Sequence, residues 1–154
     1  MSSVTLQAAS AIVEAALARG REIGLQPLTV AVLDAGGHLV AFKREDNSGI
    51  LRPEVATGKA WGALGMGVNT RLLRDRLADR PSFQAALAVA SDGRFIPVPG
   101  GVLIHGPDGA VIGAVGISGD TSDKDEACAI AGIKAAGHQP DPAEPAEGWD
   151  SSRF

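Results

Sequence analysis

Two pairs of short apolar segments, each pair joined by a glycine turn, limit the folds open to this chain. The first pair lies within residues 28–42 and turns at Gly36-Gly37. The second lies within residues 102–118 and turns at Gly106-Pro107-Asp108-Gly109. β-Branched segments that flank such turns are typical of β-hairpins. Helical periodicity precedes, separates and follows the two hairpins, and this order predicts an antiparallel sheet covered by helices.

Glycines recur in one predicted helix and in one predicted strand, where they are unusual. Periodicity and end signals predict helices over residues 5–23, 52–67, 70–77, 83–90 and 122–136. In the second helix Gly58, Gly62 and Gly65 form one stripe, although each interior glycine costs up to about 1 kcal/mol relative to Ala. Tight packing of this helix on the sheet is the preferred explanation, and close approach of a flat ligand is the alternative. Three glycines interrupt the last predicted strand and indicate close approach of another backbone or a ligand: Gly113, Gly116 and Gly119.

Acidic residues gather where the last helix begins. Ser122 followed by Asp125 resembles a capping box, and acids near a helix N-terminus are stabilising. Asp120, Asp123 and Asp125 do not have the spacing of a calcium loop. We therefore interpret them as solvated capping carboxylates.

Composition excludes several classes of function. The 18 acidic and 14 basic residues give a net charge of −4, and no basic cluster with stacking aromatics indicates nucleic-acid binding. The acidic balance argues against anionic membranes. The single cysteine, Cys128, cannot form an intrachain disulfide, and its apolar helix predicts buried packing. No signal peptide or membrane span is evident, so we expect a cytoplasmic protein.

Candidate functional side chains are few and scattered. His38 follows a glycine turn, where an imidazole can serve as an acid–base group or an axial haem ligand, or be simply an exposed hairpin residue. Arg52 and Lys59 are seven residues apart and therefore share a helix face. A lysine on an apolar, glycine-lined face can bind a carboxylate or propionate, and a surface lysine is the alternative. The nucleotide-binding and hydrolase motifs are absent, and the histidines lack metal-ligand spacing.

Three stretches, taken together, resemble the haem-degrading, HbpS-like family, which includes the GlcG proteins and the C-terminal domain of PduO-type corrinoid adenosyltransferases. They are VAVLDAGGHLVAF at 30–42, GGV at 100–102 and VIGAVGISG at 111–119, with Asp125-Glu126 following. The resemblance covers about residues 4–137, so we predict an HbpS-like domain over 1–137 and a proline-rich acidic tail over 138–154. The glycine-rich second helix with Trp61 and the tail depart from the family pattern.

The resemblance implies a profilin-like α+β fold, in which a five-stranded antiparallel sheet has helices on both faces. It also implies homo-oligomers and, in some relatives, bound haem or a corrinoid. By position, the residues that match recurring family residues are His38, Lys59, Gly100, Gly101, Ser118 and Glu126. We expect these residues to surround one pocket.

Two functions follow from this pocket. The first is binding of haem, a corrinoid or a similar flat anionic molecule in a cleft of a homo-oligomer. In that case Arg52, Lys59, Gly100, Gly101 and Ser118 form the ligand site, and His38 is the candidate metal ligand. The second is an isomerase, lyase or hydratase acting on a carboxylated metabolite. There the candidate catalytic residues are His38, Lys59 and Glu126, with His38 or Glu126 moving a proton.

Overall fold

A computed structural model of the protein describes residues 3–154. Its strands are β1 (Thr29–Asp34), β2 (Leu39–Arg44), β3 (Gly101–His105), β4 (Val111–Ser118) and β5 (Gln139–Asp141). They form one antiparallel sheet in the order β2-β1-β4-β3-β5. Its α-helices are α1 (Leu6–Glu22), α2 (Arg52–Met66), α3 (Thr70–Leu77), α4 (Pro81–Ala90) and α5 (Ser122–Ala135).

Helices cover the two faces of the sheet, as predicted. α1 and α5 pack together on one face, and α2 lies across β1, β3 and β4 on the other. Alternation along β1 serves both layers, since Val30 and Val32 join the α1–α5 core while Leu33 joins the α2 core. The predicted α+β fold with a five-stranded sheet is confirmed. Among the helices within residues 3–154, none is long and apolar enough to cross a membrane.

Short local signals set the helix ends. The Thr5 hydroxyl accepts a hydrogen bond from the Ala8 amide and begins α1. Thr121, not Ser122, caps α5, because its hydroxyl accepts from the Lys124 amide. The predicted capping box at Ser122 is therefore wrong by one residue. Gly67 ends α2 with a φ of 66°, a conformation that glycine adopts without strain.

The fifth strand comes from the segment that the sequence places in the tail. β5 pairs with β3, with Leu103 opposite Asp141 and His105 opposite Gln139. Further along, residues 149–151 form a 3-10 turn that contacts α5. The segment after residue 137 thus contacts the rest of the fold, and a folding boundary at residue 137 stays a prediction.

Two glycines of the α2 stripe, Gly58 and Gly62, pack against the loop that precedes β3. A Cβ on Gly58 would lie 2.5 Å from Ile96 Cγ1, and one on Gly62 would lie 3.0 Å from Phe95 Cδ1. The loop before β3 therefore covers Gly58 and Gly62, whereas only Trp61 lies near an added Cβ on Gly65. This corrects the interpretation of tight packing on the sheet, because the close neighbour of these two glycines is the loop, and approach of a flat ligand to the stripe stays a prediction.

The glycines of β4 admit neighbouring backbone, as one of the two interpretations predicts. A Cβ on Gly116 would lie 1.8 Å from the carbonyl oxygen of Ala56 in α2. A Cβ on Gly119 would lie 2.3 Å from the carbonyl oxygen of Pro27. Glycine at these positions allows α2 to approach β4 closely, and the loop before β1 to approach the residue that follows β4. Cys128 is buried in the α1–α5 core, as predicted, and burial raises the pKa of its thiol to about 12.

Candidate functional site

A cavity of about 270 Å³ lies where α2, the end of β4 and the start of α5 meet. Arg52 and Lys59 project into it from α2 because seven residues make about two helical turns. Ser118, the last residue of β4, lies opposite them. The rest of the lining combines residues from α2, the connecting loops, α5 and the chain end: Val55, Val98, Asp120, Thr121, Ser122, Asp125, Arg153 and Phe154.

A buried ion pair forms the inner wall of this cavity. The side chain of Lys59 is only 2% exposed, and its Nζ donates to the Ile117 carbonyl oxygen at 2.8 Å and to Asp125 Oδ2 at 3.2 Å. The other carboxylate oxygen of Asp125 accepts from the Asp120 amide at 2.9 Å. Burial lowers the pKa of Lys59 and raises the pKa of Asp125 to about 6. Asp125 opposes the lowering of the Lys59 pKa and Lys59 opposes the raising of the Asp125 pKa, so each group favours the charged form of the other.

Gly100 and Gly101 make room for this lysine. Gly100 has a φ of 121°, and a Cβ there would lie 2.8 Å from Lys59 Nζ. A Cβ on Gly101 would lie 2.4 Å from the Lys59 carbonyl oxygen. Neither glycine is part of the cavity lining given above. The two glycines thus position Lys59, and direct contact of either with a ligand stays a prediction.

Asp125 is the site residue that sequence reasoning missed. The structure overturns its interpretation as a solvated capping carboxylate, since its side chain is 1% exposed. The usable signal was its spacing, because Cys128 and Ala129 follow at i+3 and i+4 on a buried helix face. An acid on such a face needs a buried partner, and Lys59 on the apolar face of α2 supplies it.

The guanidinium of Arg52 is placed to receive an anion. Arg52 Nη1 donates to Ser118 Oγ at 3.0 Å. Within residues 3–154, no carboxylate lies within 4.0 Å of it. The two carboxylates of the lining are already engaged, since Asp120 accepts from the Gln26 and Thr121 amides and Asp125 from Lys59. A partly buried guanidinium with spare donors is a suitable partner for a carboxylate.

His38 lies at the opposite end of the sheet from this cavity. Its side chain is 82% exposed, with Nδ1 3.2 Å from Asp34 Oδ1. The hydrogen bond from the His38 amide is the main reason that the pKa of Asp34 is lowered. In the register of β1 and β4, Thr29 is opposite Ser118 and Asp34 is opposite Gly113, five residues further along β1. At about 3.3 Å per residue this separation is roughly 16 Å. Within one copy of the chain, His38 and Lys59 therefore do not line the same pocket, and a shared site between copies stays a prediction.

Glu126 faces away from the cavity, next to α3. Its side chain is fully buried, and Arg71 Nε lies 3.2 Å from Oε2. Neither carboxylate oxygen accepts a hydrogen bond in the described part of the chain. Burial raises the pKa of Glu126 to about 7, and nearby Asp123 adds to the rise, whereas Arg71 and Arg74 oppose it. Glu126 is thus brought together with Arg71 and not with Arg52 or Ser118.

Because Glu126 is buried, we expect the free energy of unfolding to depend on pH. Because its pKa is about 7 in the folded protein and 4.5 ordinarily, the folded state binds the proton more tightly between these values. Glu126 therefore stabilises the fold below about pH 4.5, and this contribution is lost as the pH rises towards 7. We expect Glu126→Gln to remove most of this dependence, which is about 3 kcal/mol at about 1.4 kcal/mol per pKa unit. Urea unfolding at pH 5 and pH 8 measures it, and an unchanged pH dependence in Glu126→Gln would contradict the assignment.

Comparison with known proteins places this chain in a family. A family model described as haem degrading protein, HbpS-like, matches residues 4–134. The chain belongs to the HbpS-like family. Within residues 3–154, no group of three or more His, Cys, Asp or Glu side chains is arranged to hold a metal ion.

Several relatives of this HbpS-like protein are similar over most of its length. An uncharacterised 15.0 kDa protein from the dhaT-dhaS intergenic region of Citrobacter freundii is 29% identical, over 81% of this chain and 86% of the relative. The crystal structure of a PduOC–haem complex has a TM-score of 0.76 at 26% identity and covers 88% of this chain and 96% of that one. A double mutant of Streptomyces reticuli HbpS has a TM-score of 0.74 at 28% identity, covering 87% of both chains.

Proposed function

We propose that this HbpS-like protein binds haem, or a similar flat anionic molecule such as a corrinoid, and holds a carboxylate of it at Arg52 and Ser118. The observation that carries the proposal is the Arg52 guanidinium, which lines the cavity, contacts Ser118 and has no carboxylate partner among the described residues. The PduOC relative that was crystallised with haem supports the choice of ligand. The cavity fits the carboxylate end of haem, which Arg52 and Ser118 would bind by hydrogen bonds.

The size of the cavity determines how such a ligand is bound. At about 270 Å³ it is slightly below the usual range of about 300–1,000 Å³ for sites that enclose a drug-sized ligand. It admits a carboxylate-bearing arm, while a flat ring system lies across the mouth. Ile50 and Leu51, which precede Arg52 in the chain, are 96% and 66% exposed. We propose that a second copy of the chain covers these residues in a homo-oligomer and completes the cleft.

The role of the chain in this function is binding and orientation. Bound haem supplies a redox-active iron, whereas this protein supplies the charge and the apolar surface that hold it. The buried Lys59–Asp125 pair keeps the cavity wall fixed, and the Arg52 guanidinium, which has no carboxylate partner among the described residues, favours an anion over a neutral ligand. His38 as axial ligand stays a separate proposal, because the structure does not bring it to this cavity.

A titration with haemin tests the proposal. The wild-type protein should give a saturable Soret shift, and Arg52→Ala should weaken binding by about 10- to 100-fold, because a hydrogen bond to a charged group contributes about 1.5–3 kcal/mol. Haemin dimethyl ester, which lacks the free carboxylates, should discriminate little between the two proteins. Arg76→Ala, at an exposed position of α3, and His38→Ala serve as controls and should bind like the wild type.

Three results would contradict this assignment. A wild-type spectrum no different from haemin with an unrelated protein would exclude haem binding. Equal affinities of the wild type and Arg52→Ala would exclude this cavity as the carboxylate site. Loss of the Soret shift in His38→Ala alone would move the site to the hairpin at the other end of the sheet.

A second candidate is an enzyme that acts on a small carboxylated metabolite, and the volume of the cavity favours it. A molecule of a few carbon atoms would fit inside completely, next to the Lys59–Asp125 pair. Since neither His38 nor Glu126 lines the cavity, proton transfer would fall to Asp125, whose pKa is raised to about 6. Under this alternative, malonate should raise the melting temperature of the wild type but not of Arg52→Ala, whereas haemin should compete poorly with it.

A further inference from the structure

Residues outside the family match form part of the proposed ligand site. The match ends at residue 134, yet Arg153 and Phe154 line the same cavity as Arg52 and Lys59. The 3-10 turn at Trp149–Ser151 packs on α5. Ser152 Oγ lies 2.5 Å from Oγ1 of Thr121, the residue that caps α5. These contacts therefore hold residues 149–152 against the start of α5, next to the cavity.

The same segment divides two adjacent spaces. On its other side lies a cavity of about 450 Å³, bounded by the end of α1 and the start of α5. Arg153 and Phe154 line both spaces, together with Asp120 and Thr121. Arg153 and Phe154 thus lie between the two cavities, and the exposure of Phe154 places it at the solvent edge of the smaller one.

The side chains of Arg153 and Phe154 are suited to binding a flat anion. In the described chain, the Arg153 guanidinium has no carboxylate within 4.0 Å, and its one hydrogen bond is to the Ser152 carbonyl oxygen. Phe154 is 84% exposed, so the face of its ring is accessible to a ligand. An unpaired guanidinium beside an exposed ring offers charge pairing and stacking at one place.

We propose that Arg153 and Phe154 complete the ligand site, with Arg153 pairing a second carboxylate and Phe154 stacking on the flat face of the ligand. The proposal rests on the proposed function, and it narrows the ligand class to flat molecules with two carboxylate arms. Protoporphyrins, including haem, have this chemistry because they carry two propionates. Arg52 takes one carboxylate inside the cavity, and Arg153 takes the other at its mouth.

Titrations that vary the protein and the ligand together test this proposal. Arg153→Ala should weaken haemin binding about tenfold and Phe154→Ala about fivefold, as expected for losing one charged hydrogen bond or one aromatic contact. Haemin monomethyl ester should bind the wild type about tenfold more weakly than haemin. In Arg153→Ala the two ligands should differ much less, because the residue that reads the second carboxylate is gone. Arg76→Ala removes the same charge at an exposed site of α3 and should change neither affinity.

The outcomes separate this inference from the proposed function. If haemin does not bind the wild type, the proposed function itself fails. If haemin binds and Arg52→Ala weakens it, but Arg153→Ala and Phe154→Ala bind as tightly as the wild type, only the role of residues 152–154 is overturned. Ser152→Ala removes the hydrogen bond to Thr121. Its affinity for haemin should lie between those of the wild type and Arg153→Ala. An unchanged melting temperature in each variant confirms that binding, and not folding, has changed.

Discussion

Asp125→Ala should lower the free energy of unfolding by about 3–5 kcal/mol, because it leaves the Lys59 ammonium buried without its counter-charge. The Lys59 side chain is 2% exposed and has Asp125 Oδ2 at 3.2 Å, so solvent cannot replace the lost partner. The Asp120 amide, which donates to Asp125 Oδ1, also loses its acceptor. In a chain of 154 residues the melting temperature should fall by about 10 °C, at about 2–4 °C per kcal/mol. Thermal and urea unfolding measure both quantities.

Replacing both members of the ion pair provides a control for this prediction. Lys59→Met combined with Asp125→Leu removes both charges and fills similar volumes, so it should recover most of the stability that Asp125→Ala loses. Asp123→Ala, two residues away on the same helix, should cost less than about 1 kcal/mol, since that carboxylate is not buried. If Asp125→Ala and Asp123→Ala destabilise the protein equally, the buried pair does not stabilise the fold as argued.

Gly116→Ala should destabilise the protein by more than about 3 kcal/mol, or prevent folding altogether. The added Cβ would lie 1.8 Å from the Ala56 carbonyl oxygen and 2.9 Å from the Ala60 amide nitrogen. These atoms belong to the backbone of α2, so no side chain can rotate to relieve the overlap. Overpacking usually costs about 1–3 kcal/mol where neighbours can adjust, and here α2 itself must move away from β4. Expression followed by urea unfolding gives the measurement.

A second glycine provides the matched control. Gly65, also within a regular element, has only Trp61 near its added Cβ, at 3.5 Å, which is an ordinary contact. Gly65→Ala should therefore stabilise the protein by about 0.4–1 kcal/mol, because alanine favours the helix. A Gly116→Ala protein with wild-type stability would mean that α2 does not lie against β4 as described. Because α2 carries Arg52 and Lys59, that result would also remove the basis of the proposed site.

The parts of the fold with strong local signals were predictable from the sequence. The two hairpins follow from glycine turns between β-branched segments, and the helices follow from apolar spacing of 3 to 4 residues. The strand glycines were correctly read as places of close backbone approach, and Gly116 against Ala56 is the clearest case. The seven-residue spacing of Arg52 and Lys59 predicted that they share a face of one helix, and both residues line the cavity.

What sequence reasoning missed depends on contacts between distant segments. Asp125 was interpreted as a solvated cap because nothing local shows that Lys59, 66 positions earlier, lies beside it. The resemblance led us to expect His38 and Ser118 in one pocket, but only the register of β1 and β4 shows that they lie at opposite ends of the sheet. β5 is three residues long and contains Pro140, so it has no strand signal of its own and forms by pairing with β3.

The most direct test of the central claim is a crystal structure of the protein with haemin. The account predicts a propionate within about 3.2 Å of the Arg52 guanidinium and next to Ser118 Oγ, which is ordinary hydrogen-bond distance. A haemin held elsewhere, with Arg52 still bonded only to Ser118, would contradict the claim that this guanidinium is the anion-binding group.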